Sequence, residues 1–155
     1  MRQQQSLTPK EAKLKAADYC AYQERTQQQV RDKLFQYGLT VDEVEEVLTD
    51  LITEGFVNEE RFAISFAGGK FRMKKWGRIK IIHHLKALHI SEYCIRKGLA
   101  EIEDDDYRQT LLNLINKKRE ALKDPNPYHK NKKIANFLMQ KGYEPELIWE
   151  MIREY

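Results

Sequence analysis

A chain of 155 residues can form one ordinary domain or three small modules in an array. Its 41% hydrophobic content is low for a thick core and its 33% charged content is high, which suits thin helical modules with much exposed surface. No apolar run approaches the roughly 18 residues of a membrane span. The start, Met1-Arg2-Gln3-Gln4-Gln5-Ser6, has no signal-peptide core, so we expect a cytoplasmic protein whose two cysteines, Cys20 and Cys94, are reduced thiols.

Residues 1–7 are expected to form a disordered tail. Thr8-Pro9-Lys10-Glu11 is a capping box with proline at the first helical position, and the spacing predicts a helix to about Arg25. Thr26-x-x-Gln29 opens a second helix that Gly38 stops in the left-handed conformation. Thr40-x-x-Glu43 opens a third, stopped by Gly55. Asn58 caps the next helix, with Glu59 and Glu60 placed for the helix dipole. Its apolar stripe is Phe62, Ala63, Phe66 and Met73, and its opposite stripe is Arg61, Ser65, Gly68, Arg72 and Lys75. Trp76-Gly77 breaks it, and a helix follows to about Leu88. Ser91 caps another. Asp104-Asp105-Asp106 caps a helix continuing to about Lys123, and Asp124-Pro125-Asn126-Pro127 is a loop. A helix from about Lys130 ends at Gly142, and Pro145 opens the last. Period-2 alternation is absent, so no strand is predicted.

The helices repeat. Val30, Leu34, Leu39, Val44 and Leu48 become Ile81, Leu85, Ile90, Ile95 and Leu99 on adding 51, and Ile134, Leu138, Tyr143, Ile148 and Ile152 on adding 104. A fixed period of this length in a helical sequence means stacked modules. The fold class is therefore all-α: three tandem three-helix modules in an elongated, curved, right-angled-packed array. The boundaries are 8–56, 57–103 and 104–155. Such arrays offer long surfaces that suit macromolecular partners.

Charge is unevenly placed along that array. The whole chain carries +3, but residues 69–97 hold nine lysines and arginines against one acid, Glu92, for a local +8. An acidic patch (Asp42, Glu43, Glu45, Glu46, Asp50) lies in the first module. This asymmetry points to a polyanion or an acidic protein surface as partner. The basic stripe Arg61, Arg72, Lys75 continues at the next helix entry with Arg78 and Lys80. A helix N-terminus at Gly77-Arg78 strengthens an anion site there. Arg72, Lys75 and Arg78 are expected to be exposed. Trp76 either closes the module junction or stacks on a partner. The contact candidates are Arg61, Lys70, Arg72, Lys74, Lys75, Trp76, Arg78, Lys80 and Lys86. His83, His84 and His89 match no zinc spacing, and no nucleophile–base set or phosphate loop is recognisable. We therefore expect no metal, no cofactor and no enzymatic activity.

The segment Glu54-Gly55-Phe56-Val57-Asn58-Glu59-Glu60-Arg61-Phe62-Ala63, followed by Trp76-Gly77-Arg78-Ile79 and Leu85, resembles the RecX family, regulators of the recombinase RecA. Lys141-Gly142-Tyr143 fits the third module of that pattern. The chain departs from it at Leu88-His89-Ile90, where His89 must take the left-handed cap that Gly38 and Gly142 hold, and at Gly68-Gly69. We expect a monomer, and the resemblance implies that it lodges in the groove of the RecA–DNA filament, bridges successive subunits and damps strand exchange and nucleotide hydrolysis. The alternative is a stand-alone helical binder of single- or double-stranded DNA. A pure DNA binder should be basic throughout, and here the charge is mixed.

Overall fold

The computed structural model describes residues 6–155. Among them are nine α-helices and no strand: α1 (Pro9–Tyr22), α2 (Gln27–Gln36), α3 (Val41–Thr53), α4 (Glu59–Gly69), α5 (Arg78–Ala87), α6 (Glu92–Ala100), α7 (Asp104–Ala121), α8 (Pro127–Gln140) and α9 (Pro145–Glu154). A π-helical turn, Lys70–Lys74, continues α4. Most of the expected disordered tail, residues 1–5, lies outside the described residues. Leu7 is a correction to it: its N–H donates to the Tyr37 carbonyl at 2.9 Å and its side chain packs on the first module's core.

The caps follow the sequence. Thr8, Thr26 and Thr40 each form a complete capping box. Asn58 and Ser91 accept from the N–H three residues on. Gly38, Gly55 and Gly142 are left-handed, and His89 joins them at φ 61°. Four features differ from expectation, three of them helix ends. The α1 helix ends at Tyr22, because Gln23 is already extended ahead of the Thr26 cap, and Arg25 folds its guanidinium back over the Tyr19 ring at 3.7 Å. The α8 helix starts at Pro127, not Lys130. Asn126 accepts from the Tyr128 and His129 N–H groups, and Pro127 needs no partner at the first helical position. Glu103, not the aspartate run, is the N-cap of α7, and Asp104 in the first turn is held by arginines instead. The fourth is Met73. It is 82% exposed rather than part of the apolar stripe, because the π turn shifts the register and Phe71 becomes the buried residue.

Every repeat position is buried except Leu99, which is partly covered. The packing divides the molecule unevenly. Helices α1–α3 close a core of their own around Val30, Leu34, Val44 and Leu48. Helices α4–α9 share one core that runs from Phe62 to Ile152. Within it α4 and α6 approach closely: a Cβ on Gly98 would fall 2.6 Å from the Ala63 carbonyl oxygen. The accessible surface is 10217 Å², against about 8200 Å² for compact monomers of this mass. That excess is what a thin tandem array produces.

Candidate functional site

The residues around Trp76 and Gly77 form the turn at the centre of the basic region, and module three packs against it. Gly77 N–H donates to the Lys141 carbonyl at 2.8 Å and Ile79 N–H to the Gly142 carbonyl at 2.9 Å. The Arg78 N–H donates to the Tyr107 hydroxyl at 3.1 Å. The N–H groups of Gly77, Arg78 and Ile79 are thus satisfied from within the protein, and the anion site expected at Gly77-Arg78 is not open there. The glycines make this possible. A Cβ on Gly77 would collide with the Gly142 backbone, and one on Gly142 with Lys80. Gly77 is needed for close approach as well as for breaking a helix.

Two of the predicted contact arginines are internal ties. Arg78 is half-buried and donates to Glu144 at 2.9 Å and to Asp104 at 3.1 Å, with its guanidinium 3.8 Å from the Tyr107 ring centre. Tyr107 in turn donates to Glu144. Burial opposes the Arg78 charge, but Glu144 and Asp104 outweigh it and its pKa rises. Burial and the Glu144 hydrogen bond push the Tyr107 hydroxyl well up. The expected exposure of Arg78 is therefore corrected: its charge is spent joining modules two and three. Arg61 pairs with Glu24 at 2.5 Å and donates to the Gly55 and Phe56 carbonyls, which joins modules one and two.

The remaining candidates form a basic surface. Trp76 is half-buried between Phe66 and His84, and the Lys70 and Lys80 ammoniums sit over its ring at 5.1 and 4.6 Å. It closes the junction and also seats two cations. Arg72 lies over Gly68, whose missing side chain makes room for the guanidinium. Lys75 ends the π turn in the left-handed conformation, and its ammonium donates to the Arg72 carbonyl at 2.9 Å. Lys74 and Lys86 are exposed.

Beside these residues runs a groove of about 470 Å³ between the π turn and module three, lined by Met73, Lys74, Lys75, Leu114, Lys117, Lys118, Ala121, Phe137 and Lys141. Five of the nine are lysines and none is acidic. Burial, then the nearby Lys80 charge, lowers the Lys141 pKa. Sequence reasoning missed Lys117, Lys118 and Lys141. The Lys117-Lys118 doublet was the only signal, and the acids elsewhere in module three masked it. The acidic helix α3 is partly spent internally: Glu43 completes a cap, Glu45 pairs with Arg31, and Asp50 stands 3.9 Å from Lys13.

Comparison with known proteins agrees with this architecture. Residues 12–51, 58–99 and 104–152 match the first, second and third three-helix domains of RecX. The chain is 28% identical over 131 residues to a "Regulatory protein RecX" of Clostridium perfringens, covering 83% of the chain and 61% of that protein. It is 25% identical over 143 residues to a "Regulatory protein RecX" of Bacillus mycoides, covering 92% and 53%. The chain thus spans just over half the length of these curated relatives. The crystal structure of RecX from Lactobacillus salivarius superposes with a TM-score of 0.86 at 23% identity, over 94% of this chain and 95% of that one. A second RecX crystal structure gives 0.82 at 22% identity, over 95% and 73%. With all three modules matched in order and the whole helical array superposed, the chain belongs to the RecX family of regulatory proteins.

Proposed function

We propose that this chain is a non-catalytic, monomeric regulator that binds the helical groove of a RecA-type recombinase filament on DNA and inhibits strand exchange and ATP hydrolysis. The observation that carries this reading is the three-module array with a cationic surface on modules two and three and an acidic module one. A filament repeats its binding sites, so a tandem protein gains from effective concentration along it. Mixed charge fits a partner that presents both protein and phosphate. No helix among the described residues is long and apolar enough to cross a membrane, and the setting we propose is the cytoplasm.

The contact residues in this reading are Lys70, Arg72, Lys74, Lys75, Lys80 and Lys86, with Trp76 seating two of them. Arg61 and Arg78 are withdrawn from direct contact, because both are committed to internal carboxylates. The test is RecA-driven strand exchange and ATP hydrolysis with the parent chain and with Lys70→Glu/Lys74→Glu/Lys80→Glu. The parent should inhibit both activities. The variant should keep its helical spectrum and lose most of the inhibition, because each reversal removes an attraction and adds a repulsion. A parent chain without effect on either activity would sink the proposal.

A further inference from the structure

The left-handed helix ends among the described residues do not close alike. At Gly38, Gly55, His89 and Gly142 the next residue sends its N–H back five residues: Leu39 to Leu34, Phe56 to Leu51, Ile90 to Leu85 and Tyr143 to Leu138. That is the usual closure of such an end. At Lys75, with φ 59°, the Trp76 N–H reaches back six residues, to the Lys70 carbonyl at 3.3 Å. The additional residue is the one that the π turn inserts. Two unfavourable features come with it. Lys75 carries a Cβ in the left-handed region. Met73 is 82% exposed, although in an unbroken α-helix it would stand about three turns on from Phe62 and share its face. Gly68 and Gly69 precede the turn, and a Cβ on Gly69 would meet nothing within 4 Å, so the backbone is soft there without packing requiring it. Three contacts from module three hold the turn. The Phe71 ring stacks on Tyr107 with centres 5.8 Å apart, the Tyr143 hydroxyl donates to the Lys75 carbonyl at 2.9 Å, and Lys141 Nζ donates to the Lys74 carbonyl at 3.3 Å.

We propose that residues 70–75 form a two-register switch set by module three. With Tyr107, Lys141 and Tyr143 docked, the turn is π-helical, Phe71 is buried and Lys75 is the left-handed stop. With those ties broken, α4 runs on in α register and the stop moves back one residue to Lys74. The Lys75 N–H then closes on the Lys70 carbonyl at the five-residue spacing of the other ends, and Met73 turns toward the Phe62–Phe66 side. The released residue lengthens the connection to Gly77. The change re-aims Lys74 and Lys75, so the docking of module three determines how module two presents these cations. A partner that drew Lys141 into an ion pair of its own would remove one tie. Contact at module three is thereby coupled to the shape of module two through a segment with two discrete arrangements. That use of the switch rests on the filament reading; the switch itself does not.

The test uses the full chain with isotope-labelled methionine methyls and a soluble paramagnetic agent, without any recombinase, and reads the NMR relaxation of the Met73 methyl. In the parent Met73 should relax as an exposed group and Met151, 3% exposed, as a buried one. Each hydrogen bond removed in Lys141→Ala/Tyr143→Phe should shift the register balance about fivefold, and the two together about 25-fold. Adding Lys74→Gly supplies a glycine where the α register needs its stop, and Met73 should then approach the relaxation of Met151. Adding Lys75→Gly instead favours the π register and should leave Met73 exposed. Met151 should stay protected in both, which reports that module three is folded. Met73 equally exposed in the two triple variants, or equally protected in both, overturns the switch. If the paired background exposes Met151, Tyr143→Phe alone with each glycine in turn should give the same ordering on a smaller scale, and lack of that ordering overturns the proposal. Inhibition of strand exchange by the parent is a separate assay. Its absence sinks the filament reading and leaves the switch, whereas a fixed register sinks the switch and leaves the filament reading.

Discussion

Modules two and three meet through apolar contact and crossed backbone hydrogen bonds, whereas modules one and two meet chiefly through one arginine. At the first junction Tyr107 and Tyr143 are fully buried with ring centres 5.1 Å apart, and the end of α8 caps the start of α5. At the second, the two cores remain separate, and Arg61 pairs with Glu24, which also lines a groove of about 340 Å³ between the modules. Glu24 Oε2 is buried there without a hydrogen-bond partner. Identical module architecture therefore gives two different joints. What decides the difference is whether glycines let the backbones touch. The basic surface lies on the stiff side, which fits a preorganised contact face.

Breaking the stiff junction should have the largest effect. Gly142→Ala places a side chain at φ 97° and into Lys80, so we expect a loss of about 3 kcal/mol or more, read by denaturant unfolding. A melting curve like the parent's would show that the close approach is dispensable. Core truncation sharpens the same contrast. Leu85→Ala and Leu138→Ala should each cost about 2–5 kcal/mol and lower hydrogen-exchange protection across both α4–α6 and α7–α9. Leu34→Ala should cost as much but act on α1–α3 alone. Protection lost in one module only, for either of the first two, would mean the shared core is not cooperative.

Arg78→Glu ranks next. It leaves Glu144 and Asp104 facing a third carboxylate, and we expect about 2–4 kcal/mol, reduced from the fully buried case by partial exposure. Reversing Arg72, Lys75 and Arg78 together would therefore confound binding with folding. Arg61→Met should cost less than about 1 kcal/mol, yet broaden the distance distribution between labels on modules one and two. An unchanged distribution would show that the loop, not the arginine, sets the angle.

The smallest expected effect is on pH dependence. The Arg78 hydrogen bond, helped by Arg108, holds the Asp104 carboxyl below its ordinary range. Its contribution is fully present above the unfolded pKa of about 3.9 and is lost as pH falls through the lower folded value. Asp104→Asn should flatten the acid limb of a melting-temperature profile below about pH 4. Parallel profiles for parent and variant would remove Asp104 from the junction's energetics.

Local rules made most of the fold legible. Three Thr-x-x-Glu/Gln boxes and the left-handed glycines each depend on residues within one or two turns, and the repeat register shows at fixed offsets of 51 and 104 along the chain. The prediction that His89 takes a glycine's place at a helix end came from comparing this chain with the family pattern at Leu88-His89-Ile90, and its φ of 61° agrees. Family membership was readable for the same reason, because Arg61-Phe62-Ala63 and Gly77-Arg78-Ile79 keep their spacing along the chain. What the chain could not display was the partner of each charge. Arg61 and Arg78 look like members of one cationic stripe in sequence, but their carboxylates lie 37 and 66 residues away. Lys117, Lys118 and Lys141 look like scattered charges of a near-neutral module until α7 and α8 bring them beside the π turn. Capping and helical periodicity are short-range and so are written in the sequence. Pairing a charge, or leaving it free to meet a ligand, is decided by which distant residues the packed core brings within a few ångströms.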